Sequence, residues 1–398
     1  MYVAENTSLY PSAKWEEFVR WAMKVIDLCR RYGGKKVVFK EMHDSWTFLA
    51  SDPQVQATLL RPENRDTVVA MYATNNPCAP ELQMGGMIGL KHAGFVGDWG
   101  ISTQYWNWSW GAHRSGQANW SICPADVILS MELAAGCLGA RWFHIEGGQE
   151  YLVRGEAALS PRARRHRDLV YELIRKNILL AVSDEDNRSF SNVVVVRRFH
   201  PLVDELRASG TWLGTPDRRP VGPLRNGLLG IPHALQTVSP DFLSASAYGH
   251  QRCVQTMAPQ TPYGCIRIVP DDVRVRPFLA GKEPLVTDGC DVFVAGKRTS
   301  AGAAREYVLK ALQGGADKLP VRAPGAAVFT HRIGNGYRVF LLDPGYMCPQ
   351  GVDTRLEIGL PGNAFEVHDL VTGEKLAVED GRLPIRVPAF RVIEITPH

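Results

Sequence analysis

The chain has 398 residues, 45% of them hydrophobic and 22% charged, with a formal net charge of +4. That length carries a sizeable core and two domains. The small charge, with no Lys/Arg block, excludes a nucleic-acid or anionic-membrane surface as the leading reading, and no run approaches the about 20 apolar residues of a membrane span.

The first residues, MYVAENTSLYPSAKWEEF, lack the basic and apolar regions of a secretion signal. Ser12 to Arg31 places apolar residues at helical spacing and stops at Gly33-Gly34. VVFKE reads as a strand ending at Glu41, and Thr67 to Tyr72 as a second. Met84 to His92 is a Gly-rich helix leading into GFVGDW, a strand expected to end at Asp98. Met84-Gly85-Gly86-Met87 is no phosphate loop, and its glycines suit close packing of helix on sheet. Asp126 to Leu138 reads as a helix, ARWFHIE as a strand ending at Glu146, and Pro161 to Leu180 as a helix.

Strands alternating with helices argue for an α/β chain with a parallel sheet, open or closed into a (β/α)8-type barrel. A full barrel needs about 250 residues, and with four or five strands readable before Ser191 the expected barrel is either incomplete at its N-terminus or holds strands this pattern does not show. After Asn192 short β-runs dominate: NVVVV, CIRIV, DVFVA, AAVFTHRI, YRVFLL, RLEIGL, FEVHDL and RVIEI. Gly334-Asn335-Gly336 and Glu379-Asp380-Gly381 mark turns among them. The expected division is residues 1–190 for the catalytic barrel portion, 191–273 for its end and a connecting region, and 274–398 for an antiparallel β-sandwich with one helical insert, Ala303 to Leu312.

Active residues of such sheets sit at the C-terminal ends of the strands. Glu41, Asp98 and Glu146 are read there, each beside aromatic residues. Glycosidic bonds are cut by paired carboxyl groups, one protonating the leaving oxygen and the other activating water or attacking directly. The plain alternative for any one acid is a cap or an ion pair. Nine of the ten tryptophans lie at or before Trp142. In QYWNWSW, Trp106, Trp108 and Trp110 share one face if the segment is a strand. Exposed aromatic rings stack on sugar faces, so Trp46, Trp99, Trp106 and Trp108, with Asn107, His43 and His144, are the candidate substrate contacts. His144-x-Glu146 has no third ligand at a persuasive spacing, so no metal and no cofactor are expected. Eight scattered cysteines contain no C-x-x-C pair, are compatible with one or two disulfides, and do not choose a pairing. No G-x-S-x-G motif supports a serine hydrolase.

FKEMHDSW, MGGMIGLKHAGFVGDWGIS with its Trp-rich tail, and GARWFHIEGG resemble the catalytic module of glycoside hydrolase family 98, as do YGCIRIVP and the late VTGE. The resemblance implies a barrel followed by a β-sandwich, and an exported, inverting, endo-acting enzyme on a galactose- or xylose-containing glycan. It implies Glu41 as general acid, with Asp98 and Glu146 holding the attacking water across a gap of roughly 6.5–9.5 Å. It also makes the chain look truncated at its N-terminus. Two readings compete. One is a retaining barrel glycosidase using Glu41 and Glu146, and the other is a non-catalytic carbohydrate-binding protein.

Overall fold

The computed structural model describes residues 1–4, 13–42, 45–73, 80–104, 125–146, 159, 161–179, 182–200, 260–261, 263–288, 291–343, 351–360 and 365–398. Strand β1 (Tyr2–Ala4) precedes α1 (Ala13–Arg31), which buries Trp15, Phe18, Ala22 and Ile26, a stripe at three- and four-residue spacing. Then follow β2 (Val37–Met42), α2 (Ser45–Leu49), α3 (Pro53–Ala57), β3 (Val68–Ala73) and α4 (Pro80–His92). Asp52 caps α3 by accepting from the Gln54 N–H, with proline inside the first turn. Next come β4 (Asp98–Gln104), α5 (Ala125–Cys137), β5 (Trp142–Glu146) and α6 (Pro161–Arg175).

The five strands pair in parallel in the order β1-β2-β3-β4-β5. One large cluster joins residues of α1, α2, α4 and α5 to Phe39, Ala70, Tyr72, Trp99 and Ile101 of the strands. The opposite face carries a small cluster of Val38, Val69 and Met71 with Trp142 against it. Helices on one face and strands in sequential order are the winding of a barrel wall, whereas a doubly wound sheet reverses its order and is covered on both sides. Among the described residues the sheet does not close: β1 and β5 are its two edges.

A second, mixed sheet has the order β11-β10-β9-β6-β8-β7. Its members are β6 (Phe190–Arg197), β7 (Gln260–Thr261), β8 (Gly264–Pro270), β9 (Glu283–Thr287), β10 (Val292–Val294) and β11 (Lys297–Thr299). A short helix α7 (Arg276–Leu279) lies between β8 and β9, and α8 (Ala301–Gly315) follows β11. β6 pairs in parallel with both β8 and β9, which suits its nearly unbroken buried valine run. Ala304, Val308 and Leu312 of α8 cover Val193, Val195, Ile266 and Ile268, and the far side joins the first cluster through Val194, Val196 and Val269. Helix α4 lies directly on β8: a Cβ added at Gly89 would stand 1.7 Å from the Ile268 carbonyl oxygen, and one at Gly86 2.3 Å from Thr47 Oγ1. The close-packing role read for this Gly-rich stretch is thus seen, but against the second sheet and α2.

All remaining pairing is antiparallel. β12 (Val321–Arg322), β15 (Val352–Ile358) and β18 (Arg382–Val387) form a three-stranded sheet in the order β12-β15-β18. β13 (Ala327–Ile333), β14 (Gly336–Leu342), β16 (Phe365–Asp369), β17 (Lys375–Leu376) and β19 (Phe390–Pro397) form another in the order β13-β14-β19-β16-β17. Val321, Leu356, Ile358, Leu383 and Ile385 of the first share one cluster with Val339, Leu341, Val367 and Ile393 of the second. These sheets begin at Val321; the strands between residues 283 and 299, expected with them, pair into the mixed sheet. Both turn signals close hairpins. Gly334, at φ 60°, starts a two-residue loop between Ile333 and Gly336. Asp380 and Gly381, at φ 49° and 70°, adopt the paired positive φ of a type I′ turn.

Candidate active site

Register across the parallel sheet locates every candidate. Glu41, the penultimate residue of β2, lies in the row Glu41–Tyr72–Ile101–Phe143. Glu41 is 2% exposed and Tyr72 is fully buried. Alternation places Glu41 in the same set of rows as Phe39 and Ile101, the helix-covered side. Lys40, also 2% exposed, belongs to the other side with Met71 and Trp142. Adjacent residues of one strand thus carry a carboxyl and an ammonium group that are both withdrawn from bulk water.

The next row is Met42–Ala73–Ser102–His144. The fully buried Ser102 hydroxyl lies 2.8 Å from His144 Nδ1. That bond orients the half-buried imidazole. Glu146 is the last residue of β5, in register with Gln104 and two residues beyond His144. Its backbone shares the C-terminal edge with Glu41, three rows further along and three strands away. At about 3.3 Å per residue and 4.8 Å per strand, a flat sheet would set the two Cα atoms about 17 Å apart. Three rows is an odd number, so strand alternation assigns the Glu41 and Glu146 positions to opposite faces of the sheet, Glu41 to the helix-covered one.

Asp98 does not join them, and this corrects the expected trio. It is the first residue of β4, in the row Val38–Val69–Asp98 at the opposite edge of the sheet. Its carboxylate lies 2.8 Å from Lys36 Nζ and 3.9 Å from an Arg141 guanidinium nitrogen, residues that precede β2 and β5. Burial alone would raise its pKa; the Lys36 hydrogen bond and charge, Arg141 and the Trp142 side chain outweigh that and hold it below the ordinary value. The misreading has a local cause. Phe95 and Val96 are buried like strand residues but form the exit from α4, where Gly94 turns the chain at φ 80° and the Phe95 N–H donates to the Leu90 carbonyl.

Two expected sugar contacts are core residues instead. Trp99 is fully buried on the helix-covered face. Trp46 is 1% exposed, and its indole N–H donates to the carbonyls of Phe39 (3.3 Å) and Met71 (3.0 Å), tying α2 to β2 and β3. Of the rest, His144 is placed as described above, while His43, Trp106, Asn107 and Trp108 lie outside the described residues. Among the described residues no group of three or more His, Cys, Asp or Glu is arranged to hold a metal ion, and Cys29, Cys137 and Cys265 are free thiols.

The residue-by-residue reading missed Ser102 and Lys40, although Gly100, Ser102 and Gln104 alternate as small or polar residues along β4. It also missed a charged cluster where α4 meets the mixed sheet. Asp184 lies 3.0 Å from Lys91 Nζ and 3.4 Å from His92 Nε2. Burial raises the Asp184 pKa, but the hydrogen bonds and charges of His92 and Lys91 drive it far below the ordinary range. Burial lowers the His92 pKa in spite of Asp184. Arg267, stacked over Phe190 and Phe278, donates to the Ser191 carbonyl at 2.9 Å, and burial pulls it down to about 10.

No protein-family profile matches the chain, and no curated protein is similar to it. Among solved structures it is similar to the catalytic module of a family 98 glycoside hydrolase from Streptococcus pneumoniae TIGR4, in complex with the H-disaccharide blood group antigen. That match has 12% identity and a TM-score of 0.45, over 99% of this chain and 78% of the other. The same module in complex with the LewisY pentasaccharide antigen gives 11% identity and a TM-score of 0.47 over the same shares. A GH42 β-galactosidase from G. stearothermophilus gives 8% and 0.47, over 90% of this chain and 63% of the other. With TM-scores of 0.45 to 0.47, these likenesses assign no role to any residue here.

Proposed function

We propose that the chain is a glycoside hydrolase cutting inside a carbohydrate chain with inversion, using Glu41 and Glu146 as its carboxyl pair. The observation that carries this reading is the placement of both glutamates, one of them withdrawn from water, at the C-terminal edge of a singly wound parallel sheet. The likeness of FKEMHDSW to family 98 gives Glu41 the role of general acid on this reading. Glu146 takes that of the base that activates water. His144, oriented by Ser102, stands two residues before Glu146 as a substrate contact on this reading. Asp98 has no part in it. The architecture that goes with this reading is a barrel-type catalytic portion followed by a β-sandwich. The resemblance of FKEMHDSW and GARWFHIEGG to family 98 supports a galactose- or xylose-containing substrate and an exported protein. The burial of Trp46 and Trp99 removes two residues from the purely sugar-binding alternative.

The test is hydrolysis of a panel of β-galactosyl glycans and xylans by the full chain, with the product anomer followed by NMR. Cleavage with inverted configuration is expected, with losses of about 10³-fold or more in Glu41→Gln and Glu146→Gln at unchanged unfolding midpoints. Cleavage that survives both substitutions, or no cleavage of any member of the panel, overturns the reading.

A further inference from the structure

The outer face of the three-stranded antiparallel sheet holds a groove of ≈ 680 Å³. Strand alternation puts Asp353, Arg355 and Glu357 of β15 on this face, with Arg382, Pro384 and Arg386 of β18 opposite them. The two acids are paired: Asp353 with Arg386 at 2.6 Å, and Glu357 with Arg322 of β12 at 3.2 Å. Arg355 stands between these pairs, exposed, and makes no ion pair or hydrogen bond among the described residues. Its cross-strand neighbour is Pro384, and Pro324, also lining the groove, is fastened to β15 by the Thr354 hydroxyl donating to its carbonyl at 2.6 Å. A proline ring cannot accept a hydrogen bond, so it takes up none of the guanidinium's donors.

We propose that this groove binds an anionic polysaccharide through a uronate carboxylate held by Arg355. The face sets four arginines, Arg322, Arg355, Arg382 and Arg386, against three carboxylates, Asp353, Glu357 and Glu379, so the excess charge is positive, and among the described residues Arg355 at its centre and Arg382 at its end make no ion pair. Arginine offers a planar fork that matches a carboxylate in two parallel hydrogen bonds. Flanking proline rings give the sugar an apolar floor. The exposed ion pairs, each worth little in water, can turn toward a ligand at small cost, and their carboxylates accept from its hydroxyls. A nucleic acid fits this face less well. Among the described lining residues no aromatic ring offers a base a stacking surface. The site lies on a different sheet from Glu41 and Glu146 and does not depend on hydrolysis.

Binding of polygalacturonate fragments to the full chain, read by calorimetry, tests the proposal, with neutral galactan, duplex DNA and Arg165→Ala as controls. Arg165 is exposed on α6, so its loss removes one positive charge away from the groove. Saturable binding to the uronate polymer is expected, weakened about tenfold or more by Arg355→Ala and less by Arg355→Lys, and unaffected by Arg165→Ala. Equal binding of neutral galactan, equal binding of DNA, equal losses in Arg355→Ala and Arg165→Ala, or no binding at all overturns it. Because no turnover is measured, such a failure leaves the hydrolytic reading standing.

Discussion

Glu132 stands on α5 between the core residues Met131 and Leu133. The residue is half-buried, but its Oε1 is sealed from solvent and has no hydrogen-bond partner. Burial is the sole cause of its perturbation and pushes the carboxyl from 4.5 up to about 8. An acid whose folded pKa is raised is protonated in the fold while the unfolded chain is already ionised. The folded state then binds more protons, and stability falls as pH rises from 4.5 to about 8. At 1.36 kcal/mol per unit, the loss accumulated by about pH 7 is about 3 kcal/mol, or about 2 kcal/mol after discounting for the solvent this residue still meets. Glu132→Gln keeps the shape and removes the ionisation. Urea unfolding should show the variant more stable than wild type by about 2 kcal/mol near pH 7, the gap closing near pH 4, with equal m-values. A variant that is less stable near pH 7, or a gap that does not change with pH, refutes the reasoning.

Two further substitutions probe the packing and the sheet edge. Gly89→Ala gains about 1 kcal/mol of helix propensity but drives a methyl into the Ile268 carbonyl, a backbone clash that no rotamer change relieves. A net loss of about 2 kcal/mol or more is expected in denaturant unfolding. Asp98→Asn gives up the charge that Lys36 and Arg141 surround. Since the folded pKa is lowered, the contribution of Asp98 is present above its unfolded value and vanishes as pH falls through the folded one. The variant should lose about 1–2 kcal/mol near pH 7 and nothing near pH 2, while hydrolysis, if Glu41 and Glu146 carry it, keeps its rate.

Local signals were legible wherever the residues in one window decide the structure. The stripe of Trp15, Phe18, Ala22 and Ile26 specifies α1, the runs VVFKE and WFHIE specify β2 and β5, and Asp380-Gly381 specifies its turn. What depends on distant partners was not legible. Nothing within NVVVV says that its neighbours run parallel to it, and β1, three residues long, exists only because β2 accepts it. The tryptophans mislead for a related reason. An indole is equally at home against a sugar and in a core, and the faces of α2 and β4 that carry Trp46 and Trp99 are set by the helices and strands packed on them.

The same dependence on distant structure separates the acids. In a parallel sheet all strands enter at one edge and leave at the other, so an acid's place along its strand decides which surroundings it meets. At the entering edge Asp98 meets Lys36 and Arg141, which stand just before β2 and β5, and it ties three strand starts together. A shift of the strand boundary by a few residues, misread at Phe95 and Val96, was enough to make a clamp look like a catalyst. At the leaving edge Glu41 and Glu146 stand within one residue of their strand ends, where the connecting segments to the next helices begin. An ion-paired carboxylate whose pKa is lowered at the first edge would make a poor proton donor in the neutral range. On the reading proposed above, proton transfer is assigned to the glutamates of the second edge and not to Asp98.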